Sequence, residues 1–589
     1  MALKRRGPAT TTLGVRARLV PDLTTDAARP RLGDILVERE WVARTAVEDA
    51  VARAPMRRLG STLIADGLID EITLARAISE QSGIAVVDIR EHPAQPEATR
   101  MLSQHEAHSF DAFPFALDNG ALNVVVADPF NTELLALLQS LPVTTVNLTL
   151  GLPSHVRSRV NQTYRALSEV GTDIDAFAVS DAAAELAAAV ETIGSVDDDA
   201  PIIQVVNKIL TQALRDRASD VHIEPTDVEV RVRFRVDGAL IEVLSLPSDM
   251  GPALVSRIKI MAEMNIVERR RPQDGQFEVN IDGRGLDVRV STTSTIWGEK
   301  TVLRLLDRTR SLYRLSELGM SAPLSKRYSR IVQSPFGMVI VSGPTGSGKT
   351  TTLYATLNEI NRPDMNVMTI EDPVEYVFPR VNQIQINEQA GLSFATGLKS
   401  ILRQDPDVIL VGEVRDVETA RIAVQSALTG HLVLSSVHAI DSIAATYRLL
   451  DMGVEGFLIT SAVVGVVAQR LVRRICTSCV IEYEPTPQHQ ELYASLGGAP
   501  KARWVRGQGC TMCGGSGFFD RIGVYEVLTL TDSVREAIIE GRPPRATRAL
   551  AVEHGLRTLQ AEAMDLVSAD MTTIEEALRH VFVAEDAED

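Results

Sequence analysis

The stretch GPTGSGKTTTLY, residues 343–354, decides the fold of the central part of this chain. It satisfies the pattern G-x-x-x-x-G-K-[ST], in which the backbone N–H groups of a glycine-rich loop surround phosphate groups. The apolar run MVIVS comes directly before it, and the helix-compatible run TTLYATLNEI overlaps its end. The setting is therefore strand, loop and helix, and it predicts a phosphate-binding loop made of Gly343, Pro344, Thr345, Gly346, Ser347, Gly348, Lys349, Thr350 and Thr351.

The residue types of this loop indicate a Mg-ATP site. Lys349 is expected to reach the β- and γ-phosphates, and the hydroxyl of Thr350 is expected to ligate Mg²⁺. The helix that follows adds the positive end of its dipole. The alternative is a glycine-rich turn that contains a lysine by chance, but this alternative leaves the flanking strand and helix unexplained.

Two carboxylates downstream of the loop suit ATP hydrolysis. Glu413 follows the apolar run DVILV, and Glu371 lies in TIEDPVEY at the end of another apolar run. In P-loop sites one such carboxylate holds Mg²⁺ through water, and another orients or deprotonates the attacking water. Either glutamate alone is as readily a surface residue at a strand end, but the pair predicts an ATPase.

The rest of the chain divides by pattern. Short apolar runs alternate with helical segments from about residue 315 to 475, which is typical of a parallel sheet with crossover helices. Before it, a periodic helix at 201–220 and alternating runs such as EVRVRFRVDG (229–238) predict an α+β domain. The composition of segment 180–201, which is rich in Ala and acidic residues, indicates a linker.

Composition restricts the class of protein. The 589 residues allow three or four domains, and the net charge of −17 argues against a general binder of nucleic acid. No signal peptide and no run of 18 apolar residues is visible, so we expect a cytoplasmic chain. The basic start, with Lys4, Arg5, Arg6, Arg16 and Arg18, is interpreted as a solvated tail or as a contact with an acidic lipid surface or partner.

Four segments, in this order and spacing, resemble the secretion-superfamily ATPases, the hexameric motors of type II secretion and type IV pilus assembly. They are GPTGSGKTTTLY, TIEDPVEY, LRQDPDVILVGEVRD and TGHLVLSSVHA, and the resemblance extends over residues 201 to about 530 through SDVHIEP, VRFRVDG, RPQDGQ, GEKTVLRLLD and QRLVRRIC. It implies an α/β fold with a RecA-like P-loop parallel sheet core preceded by a PAS-like α+β lobe. An N-terminal α/β regulatory domain and a C-terminal zinc element complete the expected architecture.

The resemblance also assigns site residues. It implies Glu371 as the catalytic carboxylate, Glu413 as the Walker B acid and His438 as a sensor of the γ-phosphate. Ala439 and Ile440 stand where the family more often has Thr and Asn, so the contacts that follow His438 are expected to differ. Arginines from the smaller lobe or a neighbouring subunit are expected at the phosphates, and the matching positions are Arg233, Arg235, Arg289 and Arg304.

The four cysteines of the chain form two C-x-x-C pairs. Cys476, Cys479, Cys510 and Cys513 predict a closed, structural, tetrahedral zinc site. The alternatives are a redox pair or cysteines without metal, whereas disulfides are not expected in a cytosolic protein. Pilus-extension and secretion ATPases are similar in having such an element and retraction motors lack it, so it favours an assembly motor.

An internal repeat lies near the N-terminus. RLGDILVEREWV begins at Arg31 and RLGSTLIADGLI begins at Arg58. The second copy resembles a cyclic-di-GMP-binding motif of these ATPases. In that family two such motifs together hold the dinucleotide. The first copy here has Glu40 in place of Gly67, and Ala54 in place of Gln81, so one of the two halves of the expected site is degenerate. The alternative is a purely structural domain that docks on a membrane platform. The cyclic-di-GMP residues that the resemblance implies are Arg58, Leu59, Gly60, Gly67 and Gln81.

These observations predict seven segments. They are a basic flexible tail (1–30), an MshEN-like secretion-ATPase N-domain (31–165), a linker (166–200), an α+β lobe (201–312), a RecA-like ATPase domain (313–475), a tetracysteine zinc element (476–525) and a C-terminal helical segment (526–589).

The predicted function is a homohexameric motor that uses ATP and Mg²⁺, carries Zn²⁺ and assembles type IV pilus fibres. It is expected at the inner face of the bacterial cytoplasmic membrane, as a peripheral protein that acts on an inner-membrane platform protein without nucleic acid. One alternative is a type II secretion motor. Others are a RecA-like nucleic-acid motor, which the net charge opposes, and a catalytically silent adaptor that responds to cyclic-di-GMP, which the intact Lys349, Glu371 and Glu413 oppose.

Overall fold

The computed structural model describes residues 17–21, 29–53, 58–92, 94–164, 200–307, 313–510 and 512–581, together with 167, 170, 174 and 177. Most of the predicted tail, most of the linker and the acidic C-terminus lie outside the described residues. The chain divides into two compact units. The first comprises Met1–Phe234, Glu242–Arg284 and Val290–Leu303, and the second comprises Arg235–Ile241, Gly285–Arg289 and Arg304–Asp589. The seven boundaries drawn from the sequence stay predictions.

Four helices carry the N-terminal repeat: α1 (Leu32–Glu38), α2 (Arg44–Arg53), α3 (Leu59–Ala65) and α4 (Glu71–Ser82). Both α1 and α3 have seven residues, and each follows an arginine in extended conformation. Two residues after each helix the backbone turns left-handed, with φ of 57° at Glu40 and 67° at Gly67. Glycine adopts this conformation without steric cost, whereas glutamate does not. The backbone repeat is therefore preserved although the first copy lacks the glycine.

A four-stranded sheet follows, with β1 (Arg18–Val20), β2 (Ala112–Asp118), β3 (Ala121–Val126) and β4 (Thr145–Leu150) in the order β1-β4-β3-β2. Its helices are α5 (Pro96–Thr99), α6 (Gln104–Phe110), α7 (Thr132–Ser140) and α8 (Pro153–Thr163). Strand β1 lies within the segment predicted to be a flexible tail, and this part of the expectation is corrected. It pairs in parallel with β4 and buries Leu19, because apolar residues alternate with the basic ones there.

The α+β lobe contains a six-stranded sheet in the order β7-β6-β5-β10-β9-β8. Apolar residues of β6 alternate with arginines, so Val230, Val232 and Phe234 are buried while the arginines occupy the opposite face. The elements are α9 (Pro201–Arg215), β5 (Asp220–Pro225), β6 (Glu229–Val236), β7 (Ala239–Pro247), α10 (Met250–Met261), β8 (Gln273–Ile281), β9 (Arg284–Thr295) and β10 (Gly298–Asp307).

The second unit is built on a seven-stranded sheet in the order β13-β12-β14-β15-β11-β16-β19, in which all neighbours are parallel except β16 and β19. This is the parallel sheet with crossover helices that the alternating apolar runs predict. Its strands are β11 (Gly337–Ser342), β12 (Val367–Glu371), β13 (Val381–Gln385), β14 (Val408–Val411), β15 (Leu432–Val437), β16 (Val463–Ile475) and, after the short pair β17 (Val480–Glu482) and β18 (Val505–Gly507), β19 (Phe518–Leu528).

Helices cover both faces of this sheet, and the last described helix ends at Val581. The four-cysteine element is inserted between β16 and β19, so the predicted zinc segment 476–525 overlaps a strand of the central sheet. Among the described residues no helix is both long enough and apolar enough to cross a membrane. The helices are α11 (Ala322–Val332), α12 (Lys349–Ile360), α13 (Phe394–Ile401), α14 (Val417–Leu428), α15 (Ser442–Asp451), α16 (Gly456–Ala462), α17 (Pro487–Ser495), α18 (Asp532–Ile539), α19 (Pro544–Glu553), α20 (Leu559–Ser568) and α21 (Ile574–Val581).

Candidate nucleotide site and four-cysteine centre

The predicted phosphate loop connects β11, which ends at Ser342, to α12, which begins at Lys349. Gly343, Gly346 and Gly348 all have positive φ, of 155°, 77° and 87°. A Cβ atom on Gly343 would lie 2.4 Å from Oγ of Ser347, so only glycine fits there without a shift. The loop therefore makes tight turns that depend on glycine, as a phosphate-binding loop requires.

Lys349 lies over this loop. Its Nζ donates to the carbonyl oxygens of Gly343 at 2.9 Å and Pro344 at 3.1 Å. Burial lowers the pKa of the Lys349 ammonium, as does Arg470, while Glu413 acts in the opposite direction. Thr350 and Thr351 are exposed at the start of α12, where the hydroxyl of Thr350 is accessible to a metal ion.

The carboxyl ends of the neighbouring parallel strands bring three further candidates to the same edge of the sheet. Glu371 is the last residue of β12, Glu413 lies two residues after β14, and His438 follows β15. Nε2 of His438 lies 3.8 Å from Oε2 of Glu413, and Nη2 of Arg415 donates to Oε1 of Glu413 at 2.5 Å. Burial lowers the pKa of His438, and Lys349 and Arg415 lower it further against the opposing effect of Glu413. These effects favour the neutral imidazole, whose N–H can donate a hydrogen bond.

Glu371 has a different environment from Glu413. It is 4% exposed, and its carboxylate accepts hydrogen bonds from Tyr354, Thr369 and Gln383. Because each buried carboxylate oxygen has a donor, the charge is compensated and the side chain is fixed in place.

Three of the four arginines predicted to contact phosphate bond to groups of the protein itself, and the fourth is exposed on a strand. Arg289 donates to Glu375 at 3.3 Å and to the carbonyl of Val374 at 2.9 Å. Arg235 donates to the carbonyl of Gly238 at 3.1 Å, and Arg304 is an exposed residue of β10. Within the first unit, Arg233 and Lys300 lie 2.7 Å and 2.8 Å from the carboxylate of Glu224. Their contact with phosphate stays a prediction.

Sequence reasoning did not identify the residues that hold the loop from β16. Nε2 of Gln469 donates to the carbonyl of Ser347 at 2.7 Å. The guanidinium of Arg470 donates to the carbonyls of Gln469 at 2.9 Å and Ile440 at 2.6 Å, so it connects the loop support to the segment after His438. The available signal in the sequence was that Gln469 and Arg470 directly follow the apolar run VVGVVA. In the structure these two polar side chains are 1% and 9% exposed.

The four cysteines converge as predicted. Their sulfur atoms all lie within 4.8 Å of one another, and the pairs 476–510, 479–513 and 510–513 are 3.8, 3.9 and 3.8 Å apart. A tetrahedron with Zn–S bonds of about 2.3 Å has edges of about 3.8 Å. The donor set therefore fits zinc, and all four cysteines are free of disulfides. The backbones of Gly507 and Gly517 approach so closely that a Cβ on Gly507 would lie 2.0 Å from the carbonyl oxygen of Gly517.

The predicted cyclic-di-GMP residues lie on and around α3 and α4. Arg58 forms an ion pair with Asp128, and Nε2 of Gln81 donates to the carbonyl of Pro30 at 2.9 Å. Gly60 is buried, and a Cβ atom at this position would clash with Leu74 at a distance of 2.7 Å. Leu59 packs against the apolar cluster that includes Leu74. Gly60 and Leu59 therefore have a packing role, while Arg58 is 66% exposed and accessible to a ligand.

A phosphate loop between strand and helix, with carboxylates and a histidine at the adjacent strand ends, defines a P-loop ATPase. The sequence profile of the "Type II/IV secretion system protein" family matches residues 195–579, and that of the "MshEN domain" matches residues 82–170. The chain belongs to the Type II/IV secretion system protein family.

Curated relatives span most of the chain. It is 35% identical over 564 residues to a "Type IV pilus assembly ATPase PilB" of Myxococcus xanthus, covering 93% of this chain and 98% of that one. It is 38% identical over 575 residues to a "Type II secretion system protein E" of Xanthomonas campestris, covering 95% and 99%. A "Type IV pilus assembly ATPase PilB" of Thermus thermophilus is 37% identical over 529 residues, or 88% of this chain, and the chain spans only 59% of that relative's length.

Proposed function

We propose that this chain is a homohexameric motor that hydrolyses Mg-ATP and drives assembly of a type IV pilus fibre. The observation that carries the proposal is the convergence of the phosphate loop, Glu371, Glu413 and His438 at one edge of the parallel sheet. The Myxococcus and Thermus relatives, both named pilus assembly ATPases, support the pilus assignment.

Each of these groups has a defined task in the proposed reaction. The loop amides and Lys349 bind the phosphates and orient the γ-phosphate. Glu371 takes the proton of the attacking water, and His438 donates a hydrogen bond to the γ-phosphate. Thr350 and Glu413 would hold Mg²⁺, which, when bound, neutralises charge on the phosphate oxygens.

A type II secretion motor is the second candidate. The Xanthomonas relative, which carries that name, is as similar to this chain and matches it over nearly its whole length. Both functions use the same chemistry, so the site geometry does not distinguish them. The difference lies in the substrate that the motor moves, and it has to be tested in cells.

The experiment uses a strain that lacks the chain, complemented with the wild type, with Lys349→Ala or with Lys399→Ala. Lys399→Ala is the matched control, because Lys399 is an exposed lysine that pairs with Glu418 on the surface of the same unit. We expect Lys349→Ala to abolish surface fibres while secreted proteins are released normally, and Lys399→Ala to behave as wild type. Normal fibres with lost release would instead identify a type II secretion motor.

We propose that the four cysteines bind a zinc ion. It would be held by Cys476, Cys479, Cys510 and Cys513 and would close the insertion between β16 and β19. Four protein ligands leave no position for a substrate, so the role is structural.

The N-terminal region is proposed to bind cyclic-di-GMP at the second copy of its repeat. Arg58, Gly67 and Gln81 would contact the ligand, and Leu59 and Gly60 would hold α3 in place through packing. Arg58 and Gln81 would then exchange Asp128 and Pro30 for the ligand. The whole chain is proposed to lie at the inner face of the cytoplasmic membrane, attached through an inner-membrane platform protein. Calorimetric titration with cyclic-di-GMP tests the first of these two proposals.

A further inference from the structure

The carboxylate of Glu371 is held by three side chains from three different positions. Thr369, two residues earlier on the same strand, donates to Oε1 at 2.6 Å. Gln383 on β13 is directly opposite Thr369 and donates to the same oxygen at 3.2 Å. Tyr354 on α12 donates to the other oxygen, Oε2, at 2.5 Å.

Tyr354 is the donor that connects Glu371 to the nucleotide site. It lies on α12, the helix that begins with Lys349 and Thr350. Its hydroxyl also accepts a hydrogen bond from the backbone N–H of Glu375 at 3.2 Å. One hydroxyl therefore joins the helix of the phosphate loop to both ends of the segment 371–375.

The ring of Tyr354 has little freedom to move. It is 3% exposed and packs edge-on against Phe378 and Tyr376, with ring centroids 4.8 Å and 6.2 Å away. Burial raises the pKa of the Tyr354 phenol, and Glu371 raises it further. The hydroxyl consequently keeps its proton at neutral pH and acts as a donor to the carboxylate.

We propose that Tyr354 is a positioning residue that fixes the carboxylate of Glu371 relative to the phosphates during ATP hydrolysis. The inference rests on the proposed function, which makes Glu371 the group that accepts the proton of the attacking water. A base contributes only when it is oriented toward the proton that it accepts. Tyr354 provides this orientation from the same rigid helix that carries Lys349 and Thr350.

The test compares Tyr354→Phe with Tyr328→Phe in the full-length chain. Tyr328 is the matched control, because its hydroxyl is also buried and also bonded to α12, at 2.6 Å from Oγ1 of Thr356, but it has no contact with Glu371. Steady-state ATP hydrolysis gives kcat and KM, binding of a fluorescent ATP analogue gives Kd, and thermal unfolding gives Tm. Thr369→Val, which removes another donor to the same carboxylate, is a second variant, and Glu371→Gln is the reference.

We expect Tyr354→Phe to lower kcat about 10- to 100-fold, with KM, Kd and Tm close to wild type and Tyr328→Phe active. Thr369→Val is expected to lower kcat in the same way. A kcat of Tyr354→Phe within twofold of wild type, with Glu371→Gln inactive, would overturn this inference alone. An equal loss in Tyr328→Phe would also overturn it, because a general effect on α12 would then explain the result. A fully active Glu371→Gln would overturn both the inference and the proposed role of Glu371.

Discussion

Glu413 contacts a cationic and a histidine side chain at the nucleotide site. Arg415 and His438 lie on its two oxygens, and its charge opposes the fall in the pKa of Lys349. Its side chain is 16% exposed, so the negative charge remains accessible to a metal ion or water at the sheet edge. A neutral residue of the same shape would leave the backbone of the loop intact but remove this charge.

We therefore predict that Glu413→Gln binds ATP but does not hydrolyse it. The expected fall in kcat is about 100-fold or more, because the loop amides and Lys349 still bind the phosphates while the carboxylate charge is lost. Phosphate release measures the turnover, and equilibrium binding of a fluorescent ATP analogue measures the affinity. Glu418→Gln, at an exposed position that pairs with Lys399, makes the same change of charge and should hydrolyse ATP normally. Unchanged hydrolysis in Glu413→Gln would contradict the assignment.

At the scale of elements, the sequence predicts the strands whose pattern is local. The runs for β11, β12, β14 and β15 are short, apolar and followed by polar residues, so both the parallel sheet and the candidate residues at their ends could be predicted. The edge strand β1 was not predicted, because its three residues lie in a basic segment and their pairing partner is more than 120 positions away. Such long-range pairing leaves no local signal.

The strands β16 and β19 show the same limit at the site. Strand β16 has the polar residues Gln469 and Arg470 in its centre, and they interrupt its apolar pattern although both are buried. These two residues hold the phosphate loop and the segment after His438 through carbonyl oxygens. The hydroxyl of Tyr354 acts in the same way on Glu371. Supporting contacts of this kind depend on which strands and helices become neighbours. Local patterns in a single sequence do not reveal these neighbours.

The four-cysteine element yields a prediction at this scale. Besides the short pair β17 and β18 and the helix α17, it has little regular structure, and both C-x-x-C pairs lie outside its helix and strands, so zinc is expected to contribute directly to its folding. We predict that Cys510→Ser lowers the zinc content from one ion per chain to nearly none and lowers the melting temperature by about 5 °C or more. Elemental analysis and thermal unfolding measure the two effects.

Treatment of the wild type with a strong chelator should reproduce the loss of stability, and added zinc should restore it in the wild type but not in Cys510→Ser. Substitution by Co²⁺ should give the visible absorption of a tetrahedral thiolate site. A wild-type protein without metal and with an unchanged melting temperature after chelation would contradict the zinc assignment.

At the scale of the whole molecule, three arginines of the described ATPase unit have partners within the chain. Arg289 pairs with Glu375, Arg415 pairs with Glu413, and Arg470 is bonded to two carbonyl oxygens. A γ-phosphate whose charge grows in the transition state is commonly stabilised by an arginine supplied in trans. His438 and Arg415 are more than half exposed, which leaves this side of the site open to solvent in the single chain. These features agree with a site that a neighbouring subunit completes.

We therefore predict that inactive subunits inhibit active ones within the proposed hexamer. Wild-type and Glu371→Gln chains with different affinity tags are co-expressed in equal amounts, mixed rings are isolated by tandem purification, and ATP hydrolysis is measured per wild-type subunit. If six subunits act in a coupled order, every ring that passes both purification steps contains at least one inactive subunit, and the activity per wild-type subunit falls several-fold. Mixing two differently tagged wild-type chains is the control and should leave the activity unchanged. An activity that stays proportional to the wild-type fraction would show that each wild-type subunit hydrolyses ATP independently of its neighbours, and coupling between subunits would be rejected.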